Sequence, residues 1–374
     1  MITPEKFYDE LQKRGIQFYT GVPDSLMKSF LLYFDQKAET SNHIIAANEG
    51  LAIALAVGYH LRTGQLPLVY MQNSGLGNAV NPLMSIADKD VYAIPMLLLI
   101  GWRGMPGTED EPQHIKMGRI TKELLETMEI PVFEITENEN LLEEKLNSAI
   151  EKALSLQQPV ALLAHPGCFS DYKSTVPQSD YELSREQVLE KFILNCNGNE
   201  MVVCTTGKTG REFFELNRQH GEKIKSSFLS VGGMGLANHI ALGLANEKKK
   251  IIIFDGDGAV LMHMGSLTQI GIQQTGSPFL HIVLNNGCHE SVGAQPTLAF
   301  VVNLCKIASA CGYKKTKTIT TENELNDWLM QEFNEEEKQF IEIRINNNSR
   351  ANLLRPAGKP QDWKKELMET LQKK

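Results

Sequence analysis

Short apolar runs recur along the whole chain, each followed by a segment with helical patterning. In the first half the runs are "IQFY", "HIIAA", "LPLVYM", "AIPMLLLI", "PVFEI" and "VALLA"; in the second they are "MVVCTT", "SFLS", "KKKIIIF", "FLHIVLN", "KKTKTI" and "FIEIRI". A strand too short and too apolar to face water on one side is buried on both, and the helical segments between such strands serve as crossovers to parallel neighbours. The alternation therefore predicts an α/β chain of mostly parallel sheets flanked by helices. It fails once, after Ala164, where "HPGCFSDYKSTVPQSDYELS" is rich in Pro, Ser, Asp and Tyr. We read residues 166–184 as a linker between a domain over 1–165 and another over 185–374, since 374 residues exceed one ordinary domain. One architecture is thus expected twice, without visible sequence repetition.

Composition narrows the function. With 42% apolar and 22% charged residues the chain has ample core, and its formal charge of −8 argues against bulk binding to nucleic acid or an anionic membrane. An anionic ligand must therefore be met by local basic groups. The six cysteines form no C-x-x-C pair and read as thiols of a reducing compartment. "TPEKFYDELQKRG" lacks the apolar centre of a signal peptide, and "VYAIPMLLLIGW", which contains a proline, is too short to span a bilayer. A cytoplasmic enzyme is the expectation.

The informative loops all fall where a strand ends and a helix begins, the edge at which open α/β sheets bind ligands. They are "TGVPDS" (20–25), "AANEG" (46–50), "QNSGLGN" (72–78), "TTGKTGRE" (205–212), "SVGGMGLAN" (230–238), "DGDGAV" (255–260) and "LNNGCHES" (284–291). Between the last two, "MHMGSLTQIGIQQTG" has the length of one crossover helix, so Asp257 and Asn286 belong at one sheet edge. A carboxylate, a carboxamide oxygen and backbone carbonyls suit a hard cation such as Mg²⁺, and Gly256 and Gly258 allow backbone to approach phosphate closely. Taken separately, each half is also what an ordinary glycine turn or Asn turn looks like. A dinucleotide-binding reading of "GGMGLAN" fails because the third glycine of G-x-G-x-x-G would fall at Asn238.

GDG, one helix, then NN resembles the cofactor signature of the thiamine-diphosphate enzymes. The resemblance implies that Asp257, Asn286 and the carbonyl of Cys288 hold Mg²⁺, or another divalent cation, on the diphosphate of thiamine diphosphate. It implies two thiamine-diphosphate-binding domains, a pyrimidine-binding one first and a diphosphate-binding one second, the order of the 2-oxo acid decarboxylases. The linker leaves no room for the middle domain common among them. In "AANEGLAIALAVGYH", Glu49 matches the family's acid beside the aminopyrimidine; taken alone, a glutamate favoured by the helix dipole would be the simpler reading, and GDG…NN in the same chain decides against it. Met234, following Gly233 in "GGMG", resembles the apolar residue on which the cofactor bends, though adaptable Met also fills cores.

"GVPDSL", "NEGLAIALAVGYHL", "QNSGLGNAVNPL", "GWRGMPGTEDEPQH", "GDGAVLMHMGSL" and "LNNGCHESVGAQPT" together resemble the phosphonopyruvate decarboxylases, with sulfopyruvate decarboxylases as close relatives. This implies non-oxidative decarboxylation of 3-phosphonopyruvate to phosphonoacetaldehyde and CO2 in 2-aminoethylphosphonate biosynthesis; another 3-substituted pyruvate is the alternative. A non-catalytic thiamine-diphosphate-binding regulatory subunit would be expected to lack Glu49 or Asp257, and both are present. In the mixed-charge segment 101–121, Arg103 is the candidate for the phosphonate, because a guanidinium fork matches tetrahedral oxyanions, with His114 as helper. Asp24 and Ser25 stand where relatives place polar groups near the reacting carbon; a helix N-cap in "PDS" is the equal alternative. The resemblance also implies a homodimer or higher homo-oligomer whose sites are shared between chains.

Overall fold

The computed structural model describes residues 1–372 except 40, 174–178, 246–248, 275, 334–335, 351, 355 and 357. The middle of the expected linker, 174–178, lies outside the described residues. The chain divides into two compact units, 1–176 with 291–295 and 177–290 with 296–374.

The first unit is a six-stranded, all-parallel sheet of β1 (Tyr19–Gly21), β2 (His43–Ile45), β3 (Leu68–Gln72), β4 (Met96–Gly101), β5 (Val132–Ile135) and β6 (Pro159–Ala164), ordered β2-β1-β3-β4-β6-β5. The helices are α1 (Pro4–Lys13), α2 (Lys28–Lys37), α3 (Glu49–Thr63), α4 (Leu76–Pro82), α5 (Pro112–Thr127) and α6 (Leu142–Leu156). The two-residue period of β4 sends Leu97 and Leu99 to one face, with Phe7, Phe30, Phe34 and Leu146 of α1, α2 and α6. Met96, Leu98 and Ile100 go to the other, with Ala52, Ile53 and Ala56 of α3 and Leu125 of α5. An unbroken apolar run is what a strand covered on both faces requires.

The second unit repeats this plan with β7 (Met201–Cys204), β8 (Ser226–Leu229), β9 (Ile251–Gly256), β10 (Phe279–Asn285), β11 (Lys315–Ile319) and β12 (Gln339–Arg344), again all parallel. Read from β8, its order is β8-β7-β9-β10-β12-β11, strand for strand that of the first unit. Its helices are α7 (Arg185–Asn195), α8 (Lys208–Gln219), α9 (Ala237–Leu244), α10 (Asp257–Met262), α11 (Ser266–Ile272), α12 (Leu304–Ala310), α13 (Glu322–Gln331) and α14 (Pro360–Gln372). Ile252 and Phe254 face Phe192, Phe213 and Trp328, while Ile251 and Ile253 face Ala241, Leu267 and Leu304. Each sheet reverses its direction of growth beside its first strand, between β1 and β3 and between β7 and β9. At such a switch point the connections diverge and leave a crevice at the carboxyl edge.

Two local expectations change. The first strand begins at Tyr19 rather than Ile16, because Ile16 already serves the core in the turn after α1. The single crossover helix expected between Asp257 and Asn286 is two helices, α10 and α11. At His263 the backbone leaves helical angles (φ −130°, ψ 47°), and there the glycine-rich turn crosses it: a Cβ on Gly235 would lie 2.8 Å from the Ala259 carbonyl oxygen. No helix among the described residues is long and apolar enough to cross a membrane.

Candidate active site

In the second unit Gly256 pairs with Leu284 in register, so Asp257, at the head of α10, and Asn286, just past β10, emerge from neighbouring strands at one edge. The adjacency expected from sequence is present. Asp257 is buried; its Oδ2 accepts from the Thr297 hydroxyl at 2.5 Å. Burial pushes its carboxyl up to about 6, against the pull of Thr297, the backbone N–H groups at 257–258 and the more distant Arg185 charge. Among the described residues Asp257 makes no ion pair. A buried carboxylate without a counter-charge is costly, and a cation at this edge would relieve it. Asn286 donates through Nδ2 to Glu290 Oε2 at 3.1 Å, and its Oδ1 accepts from the Cys288 N–H at 3.2 Å. The Cys288 thiol is pushed up to about 12 by burial and then by the charges of Asp257 and Glu290, which makes it inert as a nucleophile at neutral pH. No three His, Cys, Asp or Glu side chains cluster as a metal cage among the described residues. The expected trio contains one carboxylate and relies on oxygens of other kinds.

The glycines account for the closeness of this edge. Gly233 and Gly235 have φ of +65° and +82°, left-handed values that hold Met234 between them. A Cβ on Gly258 would lie 3.2 Å from Met234 Cε and 2.9 Å from the His289 ring, so glycine lets both pack on the start of α10. Burial pushes the His289 imidazole down to about 4 and keeps it neutral near pH 7. Across the switch crevice, the hydroxyls of Thr205, after β7, and Ser230, after β8, are buried without a hydrogen-bond partner among the described residues. Together with the N–H groups that open α8, they suit an anionic ligand such as a diphosphate. Thr205, Ser230, Thr297 and Glu290 were not singled out from sequence. Hydroxyls in loops are too common to stand out, and Thr297 reaches Asp257 only through the fold.

In the first unit Glu49 opens α3, as expected. Asn48 caps the helix by accepting from the Leu51 N–H at 3.0 Å, and the helix ends at left-handed Gly64. The Glu49 side chain is buried and its Oε2 accepts from Asn78 Nδ2 at 2.7 Å. A Cβ on Gly75 would stand 2.4 Å from its other oxygen, so "QNSGLGN" supplies both a donor and the room for the carboxylate.

Asp24 does cap a helical turn, Ser25–Met27, accepting from the Leu26 N–H at 3.1 Å. It is also fully buried, leaves Oδ1 without a partner among the described residues, and is pushed up to about 6 by burial against the opposing charge of Arg103. The N-cap alternative is thus present at this residue. Arg103 donates from Nη1 to Ser25 Oγ at 2.7 Å, bringing Ser25 and Arg103 together beside Asp24. Its Nε and Nη2 fork onto Asp110, which also accepts from the N–H groups of Gly104 and Glu111, each at 2.8 Å. Burial alone would raise the Asp110 carboxyl, but these donors hold it well below the usual range. In sequence Asp110 is one of three acids at 109–111 in the mixed-charge segment; the fold makes it the fixed counter-charge of Arg103. The His114 ring is buried and its Nδ1 has no partner among the described residues; burial, then the Arg103 charge, lowers its pKa and favours the neutral ring. Asn73 Nδ2 anchors the loop through the Arg103 carbonyl at 2.8 Å, and the Trp102 indole donates to Gly118 O at 2.7 Å.

Residues 2–124 match the thiamine pyrophosphate enzyme N-terminal TPP binding domain, and residues 204–343 match the C-terminal TPP binding domain. The chain is similar to a phosphonopyruvate decarboxylase of Streptomyces viridochromogenes, 32% identical over 92% of this chain and 89% of that one. It is also similar to one of Streptomyces hygroscopicus, 30% identical over 97% and 92%. A sulfopyruvate decarboxylase of Methanosarcina acetivorans is 26% identical over 86% of each.

Proposed function

The chain belongs to the thiamine pyrophosphate enzymes, as a decarboxylase with the two cofactor-binding domains and no middle domain, and from that premise we propose that its substrate is 3-phosphonopyruvate. The products would be phosphonoacetaldehyde and CO2, in a cytoplasmic route to 2-aminoethylphosphonate. The observation that carries the site assignment is the buried, ion-pair-free Asp257 beside Asn286 on neighbouring strand ends. We assign Mg²⁺ to Asp257, Asn286 and the Cys288 carbonyl, the diphosphate to the edge formed by Gly233, Gly256 and Gly258, and the support of the bent cofactor to Met234. Residues 1–165 then form the pyrimidine side, 166–184 the linker and 185–374 the diphosphate side. Each site is drawn from both chains of a homodimer or higher homo-oligomer.

Bound thiamine diphosphate would supply the electron sink that decarboxylation needs. The residues of the chain bind, orient and move protons. Glu49, with Asn78 donating to Oε2, would hold a proton at its carboxylate for the aminopyrimidine. Arg103, already oriented by Asp110, directs Nη1 toward the Ser25 and Asp24 side, where a guanidinium N–H can meet a phosphonate oxygen. Asp24, whose carboxyl is pushed up to about 6, adds no cation there to attract the substrate carboxylate. Strong attraction to the substrate carboxylate would stabilise the ground state and oppose its loss, so a carboxyl rather than a cation suits that position. Neutral His114 adds a donor without adding charge. The test is CO2 release from phosphonopyruvate, sulfopyruvate and pyruvate, with cofactor and Mg²⁺ added or withheld from chelator-stripped protein. Phosphonopyruvate turnover dependent on both additions is expected; full activity without either would overturn the reading.

A further inference from the structure

Glu290 lies four residues beyond Asn286 and gathers four donors from four places. Arg185 at the head of α7 reaches it through Nη2, Lys208 at the head of α8 through Nζ at 2.9 Å, Ser349 beyond β12 through its hydroxyl, and Asn286 through Nδ2 at 3.1 Å. Arg185 is itself buried and braced on Glu212 Oε1 at 3.0 Å, so the Glu290 carboxylate has little freedom to turn. An ionised carboxylate only accepts hydrogen bonds. The Asn286 side chain must therefore present its NH2 to Glu290, and its oxygen points the other way, toward Cys288. The Cys288 N–H supports the same orientation through a neutral contact of 3.2 Å, weaker than one to a charged acceptor.

We infer that Glu290 is a positioning residue: it sets the rotation of the Asn286 carboxamide so that an oxygen, not an NH2, faces the divalent cation. This rests on the metal assignment of Asn286 above. Lys208 and Ser349 take part by holding Glu290, which gives "TTGKTGRE" a role at this site beyond its backbone. The consequence for Glu290→Gln is specific. Lys208 and Ser349 both donate to Oε1 and would claim the glutamine oxygen, leaving its NH2 in place of Oε2, facing Arg185 and the NH2 of Asn286. Two facing donors are relieved when Asn286 rotates by half a turn, which places its NH2 at the cation.

Glu290→Gln in the full-length protein should weaken Mg²⁺ binding roughly ten- to hundred-fold, the usual effect of losing a partner behind a metal ligand. Calorimetric titration of Mg²⁺ in the presence of thiamine diphosphate reads this directly. At saturating Mg²⁺, kcat should return to within about threefold of wild type, because the metal then enforces the rotation; a loss of general structure would depress kcat and the unfolding temperature instead. Asn286→Asp, with oxygen at both ends, should improve Mg²⁺ affinity about tenfold more in the E290Q background than with Glu290 in place. Mg²⁺ affinity within about twofold of wild type for Glu290→Gln, below the loss expected of such a partner, overturns the inference. If that variant does not fold, the Asn286 side-chain amide in ¹⁵N-labelled, Mg²⁺-loaded wild type decides: slow exchange with solvent supports it and free exchange overturns it. Asp257→Ala separates the two levels. If it too binds Mg²⁺ normally, the metal assignment has failed; if it abolishes binding while Glu290→Gln does not, only the role of Glu290 has failed.

Discussion

Replacing Arg103 by Ala should do more than remove one contact, because the fold leaves its counter-charge behind. The backbone of this loop is held independently by Asn73 and by the Trp102–Gly118 hydrogen bond, so the loop survives the truncation. Asp110 keeps the two backbone N–H donors at 2.8 Å and stays both fixed and charged. A substrate phosphonate then loses a charge-assisted hydrogen bond worth roughly 1.5–3 kcal/mol. It also meets an uncovered carboxylate; at ~8 Å and an effective dielectric of ~20, that repulsion adds ~2 kcal/mol. Together these predict a fall in kcat/KM for phosphonopyruvate of roughly 300- to 4,000-fold, at about 1.4 kcal/mol per factor of ten. Adding Asp110→Asn removes the repulsion and should recover roughly 30-fold of that loss. Pyruvate lacks the second anion, and its slow turnover should change by less than about fivefold in either variant, since no charged contact is lost. Steady-state CO2 release on both substrates, at fixed cofactor and Mg²⁺, measures all four values. Equal losses on the two substrates, or no recovery from Asp110→Asn, would refute this account and assign Arg103 to holding the loop.

Three further outcomes are expected. Glu49→Gln keeps an acceptor for Asn78 and should retain fold and cofactor, yet lose on the order of 100- to 10,000-fold in turnover, with slowed proton exchange at the bound cofactor; turnover within about threefold would exclude an acid–base role. The Asp24 carboxyl is raised from 3.8 to about 6 by burial, so the folded state binds its proton more tightly than the unfolded one. Its contribution to stability is fully present below pH ~4 and is lost as pH rises through about 6, reaching on the order of 3 kcal/mol. Asp24→Asn should therefore stabilise the cofactor-free protein at pH 7–8 but not at pH 4, as read by denaturant unfolding; equal effects at both pH values would contradict the sign. Finally, Glu49→Ala and Asp257→Ala chains mixed under subunit exchange should recover about a quarter of wild-type activity. Half of randomly paired dimers are mixed, and one of their two sites carries neither mutation. Demonstrated exchange with no recovery would place each site within one chain.

Sequence alone determined the architecture here because both of its causes are local. Strands buried on both faces must be short unbroken apolar runs, and "MLLLI" and "IIIF" can be little else. The motif edge was legible for the same reason: GDG and NN end such runs, so the fold had one place to put Asp257 and Asn286. Glu49 was readable as the head of a helix from the run "GLAIALAVGYH" that follows it. What only the tertiary structure decided was the partner of each charged group. Asp110 is indistinguishable in sequence from Glu109 and Glu111, and becomes the clamp of Arg103 only because the turn at Gly104 aims two N–H groups at it. Thr297 meets Asp257, and Arg185 and Lys208 meet Glu290, across separations of 40, 105 and 82 residues. No local pattern carries such pairings. A hydrogen bond depends on where two strand ends lie in space, and that is fixed by the packing of whole sheets.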